Sequence, residues 1–194
     1  YVLPRYGINN YLPVYELIHK FYKEHGKDFI YKVKGNFIIL ILEKEKFYVY
    51  SDRFAIRKYF YWRVGKEFII SNELHEISKQ LKLKASAQNM IIYSLTYHFT
   101  GGTTLFEDTW HNQPAESIEY SKKGLRTSQY WHSENLLNES KKEVRMIELC
   151  DILSDITKSY ITTSSKQNVS LSLTGGADTK NLLAILLRAG IKPH

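Results

Sequence analysis

Hydrophobic positions along the chain switch between helical spacing and short apolar runs. Val14, Leu17, Ile18 and Phe21 keep helical spacing in "LPVYELIHKFY", which predicts a helix over 12–22 ended by Gly26 and Lys27. "DFIYKV" predicts one further turn. "NFIILIL" (36–42) has the composition of a buried strand, and "FYVYS" (47–51) reads as its antiparallel partner across the charged turn "EKEK". "KYFYWRV" (58–64) and "EFIIS" (67–71) form a second predicted hairpin around Gly65, followed by a short helix from Asn72 to Gln80. Ser86 has the chemistry of an N-cap for a helix running to about His98. "TGGTT" (100–104) is a loop, and "ESIEYS" to "LRTSQYW" (116–131) is a third hairpin whose turn is marked by Gly124.

The pattern then changes. Val144, Ile147, Ile152, Ile156 and Tyr160 place one apolar face on a long helix from about Lys141 to Tyr160. After it, "NVSLSLTGGADTKNLLAILLRAG" (168–190) runs from a strand-like segment through two glycines into a helix. The switch near "YWHSENLLNES" predicts two domains, 1–132 and 133–194.

Composition narrows the chemistry. Hydrophobic residues make up 43% of the 194, enough for a packed core. The single cysteine, Cys150, excludes an internal disulfide, and its mid-helix position reads as a small core residue. The expected compartment is reducing and cytoplasmic. No apolar run approaches the ~20 residues of a membrane span. "YVLPRYG" lacks the layout of a signal peptide and a starting methionine, so residues are expected before Tyr1 and beyond His194. The net charge of +7 attracts phosphate-bearing partners in general, but its cations alternate with acids, and no nucleic-acid recognition motif accompanies them. The seven histidines form no zinc-ligand spacing.

The glycine loop carries the most specific signal. A strand that ends in glycines and opens a helix presents unpaired backbone N–H groups where the helix dipole is positive, and an anion fits there. Gly175 and Gly176 allow close approach, and Thr174 and Thr179 add hydroxyls. Asp178 repels a bare phosphate, so it holds magnesium, caps the helix, or does both. The spacing is neither that of a P-loop nor that of a dinucleotide fingerprint. A plain tight turn is the competing reading.

"SLTGGADT" resembles the pyrophosphate loop of the N-type ATP pyrophosphatases, Ser-Gly-Gly-x-Asp-Ser, with threonine at both serine positions. Upstream, "FYKEHGKDFIYKVKGNFIILIL", "SDRFAIRKYFY" and "ISNELHEIS" resemble the latter part of the class II glutamine amidotransferase domain of asparagine synthetases. "TLF", "QPAESIEYS" and the closing "YW" follow the connector of that family. The resemblance implies an α/β and α+β fold. A partial N-terminal-nucleophile-like antiparallel-sheet domain precedes the first helix–strand–loop–helix of a parallel-sheet ATP pyrophosphatase domain. It implies an ATP-dependent ligase that adenylates a carboxylate, which an amine donor then converts to an amide. ATP and Mg2+ are the implied cofactors, with Ser172, Thr174, Gly175, Gly176, Asp178 and Thr179 as the ATP/pyrophosphate-binding set and Asp178 also on the metal. Homo-oligomerisation is compatible with this reading.

Departures from the family bear on the glutaminase half. The family nucleophile is an N-terminal cysteine, whereas this chain begins with Tyr1. The family aspartate that grips the glutamine amine aligns with Val14, which cannot pair with an ammonium. Both departures argue against glutamine hydrolysis by this segment. Asp52 and Arg53 are expected to form an ion pair that fixes a loop, and Ala55 replaces the family glycine. Two competitors remain at this point: a degenerate homologue serving assembly or regulation, and a nucleic-acid-modifying ATP pyrophosphatase.

Overall fold

A computed structural model describes residues 14–137, 145–162 and 168–194. The chain divides into two compact units, Tyr1–Asn138 and Glu139–His194.

In the first unit, α1 (Val14–His25) leads directly into a 3-10 segment, Gly26–Lys32, longer than the single turn the sequence predicts. The predicted helix start at Leu12 lies outside the described residues. The strands are β1 (Ile38–Leu42), β2 (Lys46–Ser51), β3 (Phe60–Val64), β4 (Glu67–Ser71), β5 (Thr109–His111), β6 (Glu116–Ser121) and β7 (Gly124–Gln129). Helices α2 (Leu74–Gln80) and α3 (Ala87–Thr96) lie between β4 and β5. The Ser86 side chain accepts from the Asn89 N–H at 3.3 Å, the N-cap bond the sequence predicts.

The strands form two antiparallel sheets, ordered β1-β2-β6-β7 and β4-β3-β5. Alternation along β2 assigns its two faces. Tyr48 and Tyr50 join Phe29, Ile30, Val33, Phe37 and Ile39 in a core closed by α1 through Ile18, Phe21 and Tyr22. Val49 instead joins Ile118, Tyr59 and Tyr61, so the other face of the first sheet packs on the second. Ile77 of α2 is fully buried, and α2 packs against β3 and β4. Aromatic contacts cross between the sheets: Phe47 meets Phe68 at 5.6 Å, and Phe68 stacks on Tyr120 at 5.5 Å. Strand β5, absent from the sequence reading, pairs Tyr61 with Trp110. Gly102 accounts for the tight approach beside it. A Cβ there would stand 2.5 Å from Gln113 Nε2 and 2.9 Å from the His111 carbonyl oxygen.

A buried polar knot joins the ends of β2, β3 and β6. Asp52, 1% exposed, accepts from the N–H groups of Phe54 and Ile56 at 3.1 Å and of Arg57 at 3.2 Å. Its carbonyl accepts from Ala55 and Ala115, and its own N–H donates to Phe37. This corrects the expected Asp52–Arg53 ion pair. The carboxylate is committed to backbone amides, and no such pair occurs among the described residues. Asn112 bridges the same region, accepting from the Tyr59 N–H and donating to the Arg57 carbonyl. The Tyr59 hydroxyl donates to Glu116 at 2.8 Å.

In the second unit, α4 (Met146–Thr162) packs on α5 (Ala177–Arg188), and the predicted helix start near Lys141 lies outside the described residues. Leu186, Ala189 and Ser154 are buried, and the Arg188 guanidinium meets Asp151 at 2.6 Å across the exposed edge. Cys150 is half-buried on α4. The predicted strand before the glycines forms no regular ladder. Instead, the Leu171 N–H donates to the His194 carbonyl and the His194 N–H donates to the Val169 carbonyl. One residue bonded to two positions flanking a third is the pattern of a parallel pair, here centred on Ser170.

Two outcomes follow for the first unit. Asp52→Ala strands three part-buried amides and is expected to cost about 3 kcal/mol in urea unfolding, whereas Arg53→Ala costs far less. Equal losses would restore the ion-pair account. Burial raises the Glu116 carboxyl above its ordinary 4.5. A raised folded value means that its contribution to stability is present below the unfolded value and is lost as pH rises through the folded one. Stability is therefore expected to fall with pH above about 4.5 in a component that Glu116→Gln removes. Parallel pH profiles for the two proteins would contradict this.

Candidate functional site

The loop between Leu171 and α5 owes its shape to two glycines. Gly175 turns the chain at φ +79°, a conformation that costs other residues about 1–2 kcal/mol. Gly176 follows in extended geometry as the N-cap of α5 and offers no side chain to its amides. The Lys180 N–H donates back to the Gly176 carbonyl at 3.3 Å. The N–H groups of Ala177, Asp178 and Thr179 precede that bond and have no acceptor among the described residues.

The surroundings are open. Thr174, Gly175, Gly176 and Asp178 are exposed and Thr179 is half-buried. A Cβ placed at Gly175 would meet nothing within 4 Å, and one at Gly176 only the Thr174 hydroxyl at 3.7 Å. The Thr174 and Thr179 hydroxyls stand 3.5 Å apart, and Thr179 also donates to the Gly176 carbonyl at 3.2 Å. Five of the six sequence-identified residues thus lie in and around one helical turn. Ser172 lies upstream on the strand-like segment, with no contact joining it to the loop among the described residues.

Free amides, two hydroxyls and a positive helix end favour an anion of phosphate size. Asp178, second residue of α5, adds one exposed carboxylate. No group of three or more His, Cys, Asp or Glu side chains gathers for a metal among the described residues. Magnesium commonly takes one or two carboxylates and draws its other ligands from phosphates and water, so this donor set suits a metal arriving with a nucleotide.

In the first unit, Val14 is the first residue of α1 and is 42% exposed. It lines an apolar groove with Ile18, Tyr22, Ile38 and Leu40. The sequence reading missed Asn112 and the Tyr59–Glu116 pair, whose partners are 53 and 57 residues apart in sequence. It also missed the stacking of Arg53 on Trp131, at 5.7 Å from guanidinium carbon to ring centre.

Residues 15–131 match the family described as glutamine amidotransferase domain, and the chain belongs to that family. Its relatives there are asparagine synthetases. It is 24% identical, over 87% of its length, to asparagine synthetase [glutamine-hydrolyzing] 3 of Bacillus subtilis strain 168. It is 23% identical, over 88% of its length, to a protein of Methanocaldococcus jannaschii provisionally named asparagine synthetase [glutamine-hydrolyzing] 2. The chain spans 28% and 34% of those two proteins. An alignment over 87% of the chain cannot end at Trp131, so the likeness continues into the second unit. A solved structure, that of the allosteric regulatory enzyme of purine biosynthesis, aligns with 92% of the chain and 37% of its own length. Its identity is 12% and its TM-score 0.40, a likeness too slight to bear on the fold. No helix among the described residues is long and apolar enough to cross a membrane.

Proposed function

We propose that this chain carries the nucleotide-phosphate loop of an asparagine-synthetase-like ligase, joined to an amidotransferase scaffold of N-terminal-nucleophile type. The observation that carries the reading is the ring of unbonded amides at Ala177–Thr179, flanked by the Thr174 and Thr179 hydroxyls. In this reading ATP transfers its adenylyl group to a substrate carboxylate, and an amine donor then displaces AMP to give the amide.

The residues have separable tasks. The amides at the start of α5 and the two threonine hydroxyls hold the β- and γ-phosphates as the bond to the α-phosphate breaks, so charge grows where donors already point. Gly175 and Gly176 keep side chains out of that space. Ser172 supplies a further hydroxyl from the strand-like segment upstream. Asp178 would hold magnesium, which would supply positive charge to offset that of the departing pyrophosphate.

Glutamine hydrolysis is assigned to no residue described here. Val14 offers no charge to a glutamine amine, and Cys150 sits half-buried on α4 of the second unit. The nitrogen donor of this reading is therefore an amine in general. A cytoplasmic setting suits ATP-dependent chemistry.

In the full-length protein, Asp178→Ala is expected to abolish pyrophosphate release from ATP while leaving helical content intact by circular dichroism. Undiminished release would remove Asp178 from the site.

A further inference from the structure

The buried polar groups of the first unit close a ring that the proposed ligase chemistry does not use. The Tyr59 hydroxyl donates to Glu116 at 2.8 Å, and the Tyr59 N–H donates to the Asn112 side-chain oxygen at 3.0 Å. Asn112 donates in turn to the Arg57 carbonyl at 2.9 Å, and the Arg57 N–H donates to the Asp52 carboxylate at 3.2 Å. The Asp52 carbonyl accepts from the N–H of Ala115, whose next neighbour in the chain is Glu116. The circuit therefore begins and ends at Glu116 and joins two segments, 52–57 and 112–116. The Ser51 hydroxyl braces it, accepting from the Glu116 N–H and donating to the Gln113 carbonyl, both at 2.8 Å. Asp52, Tyr59, Asn112 and Glu116 are all buried. Each segment also holds an alanine in left-handed geometry, Ala55 at φ +50° and Ala115 at φ +52°, a strain that opening relieves.

We propose that segments 52–57 and 112–116 open and close as one cooperative latch, and that negative charge on the Glu116 carboxyl biases the latch toward opening. Breaking any link of the ring leaves the next buried polar group without its partner, so opening one segment alone costs nearly as much as opening both. The surroundings of Glu116 supply the bias. Its carboxyl faces the Tyr59 and Tyr61 hydroxyls of β3 and the Gln113 N–H, and no cation among the described residues forms an ion pair with it. Gln129, opposite it on β7, is uncharged and donates to the Pro114 carbonyl. The His111 ring at the end of β5 contacts the Asn112 carbonyl, and the Asp52 carboxylate is taken up by the amides of Phe54, Ile56 and Arg57. An ionised Glu116 therefore gains solvation when the turn opens, and a neutral one gains far less. Burial raises this carboxyl above its ordinary value, in the same sense. Closure is firmest below the unfolded value and weakens as pH rises through the folded one.

The test is hydrogen exchange in the full-length protein, read by mass spectrometry in peptides covering 52–57 and 112–116 and corrected for the intrinsic pH dependence of exchange. The two segments are expected to share one opening equilibrium, more populated than that of the β2–β6 ladder, and to open further as pH rises from about 5 to neutrality. Glu116→Gln is expected to flatten that pH dependence in both segments at once. Tyr59→Phe breaks the ring without touching the carboxyl and is expected to increase opening of both segments about tenfold. Loosening of 112–116 alone in either variant, exchange of the two segments only together with the ladder, or a pH dependence that survives Glu116→Gln would each overturn the proposal.

Discussion

A carboxylate enclosed by backbone amides holds the first unit together. Asp52 sits at the corner where β2 ends, β3 has not yet begun and β6 is about to start, and it bonds to all three regions. No cation among the described residues forms an ion pair with it. Hydrogen bonds from three N–H groups to an ionised oxygen are charge-assisted and stronger than neutral ones, which compensates the cost of burial. The tightness of this corner allows Val49 and Ile118 of one sheet to meet Tyr59 and Tyr61 of the other. It also forces Ala55 and Ala115 into left-handed geometry, a local strain that the surrounding bonds sustain.

The second unit poses the same arrangement without its answer. The amides of Ala177, Asp178 and Thr179 also converge at the start of an element, with a left-handed glycine just before them. No carboxylate among the described residues bonds to these amides, and Asp178 sits in the first turn without capping it. Amides that remain open to solvent are satisfied by water at little cost and by an anion at a gain. That contrast separates a closed structural corner from an open loop built of the same backbone groups.

The sequence revealed most of what depends on neighbours in the chain. The three hairpins, α1, the Ser86 cap and the glycine loop follow from local spacing and turn chemistry, and the structure contains each of them. Strand β5 stayed hidden because three residues are too few to show an alternation. The role of Asp52 was read one residue astray. An Asp–Arg pair suggests an ion pair, yet an aspartate followed by free amides two, four and five residues later is equally a turn anchor, and the latter geometry holds. The segment before the glycines has the apolar content of a full strand, but among the described residues its backbone bonds are those with His194. Partners far apart in sequence, such as Tyr59 with Glu116, left no local trace.

The account stands or falls on whether the amides between Thr174 and Thr179 take up a diphosphate. The direct measurement is a titration of the isotope-labelled chain with magnesium pyrophosphate, followed through the backbone N–H resonances. The account predicts saturable shifts confined to Gly175–Thr179, with none at the equally exposed start of α3. Absence of shifts there at saturating ligand, or shifts spread over the lysine-rich surface and abolished by modest salt, would contradict it.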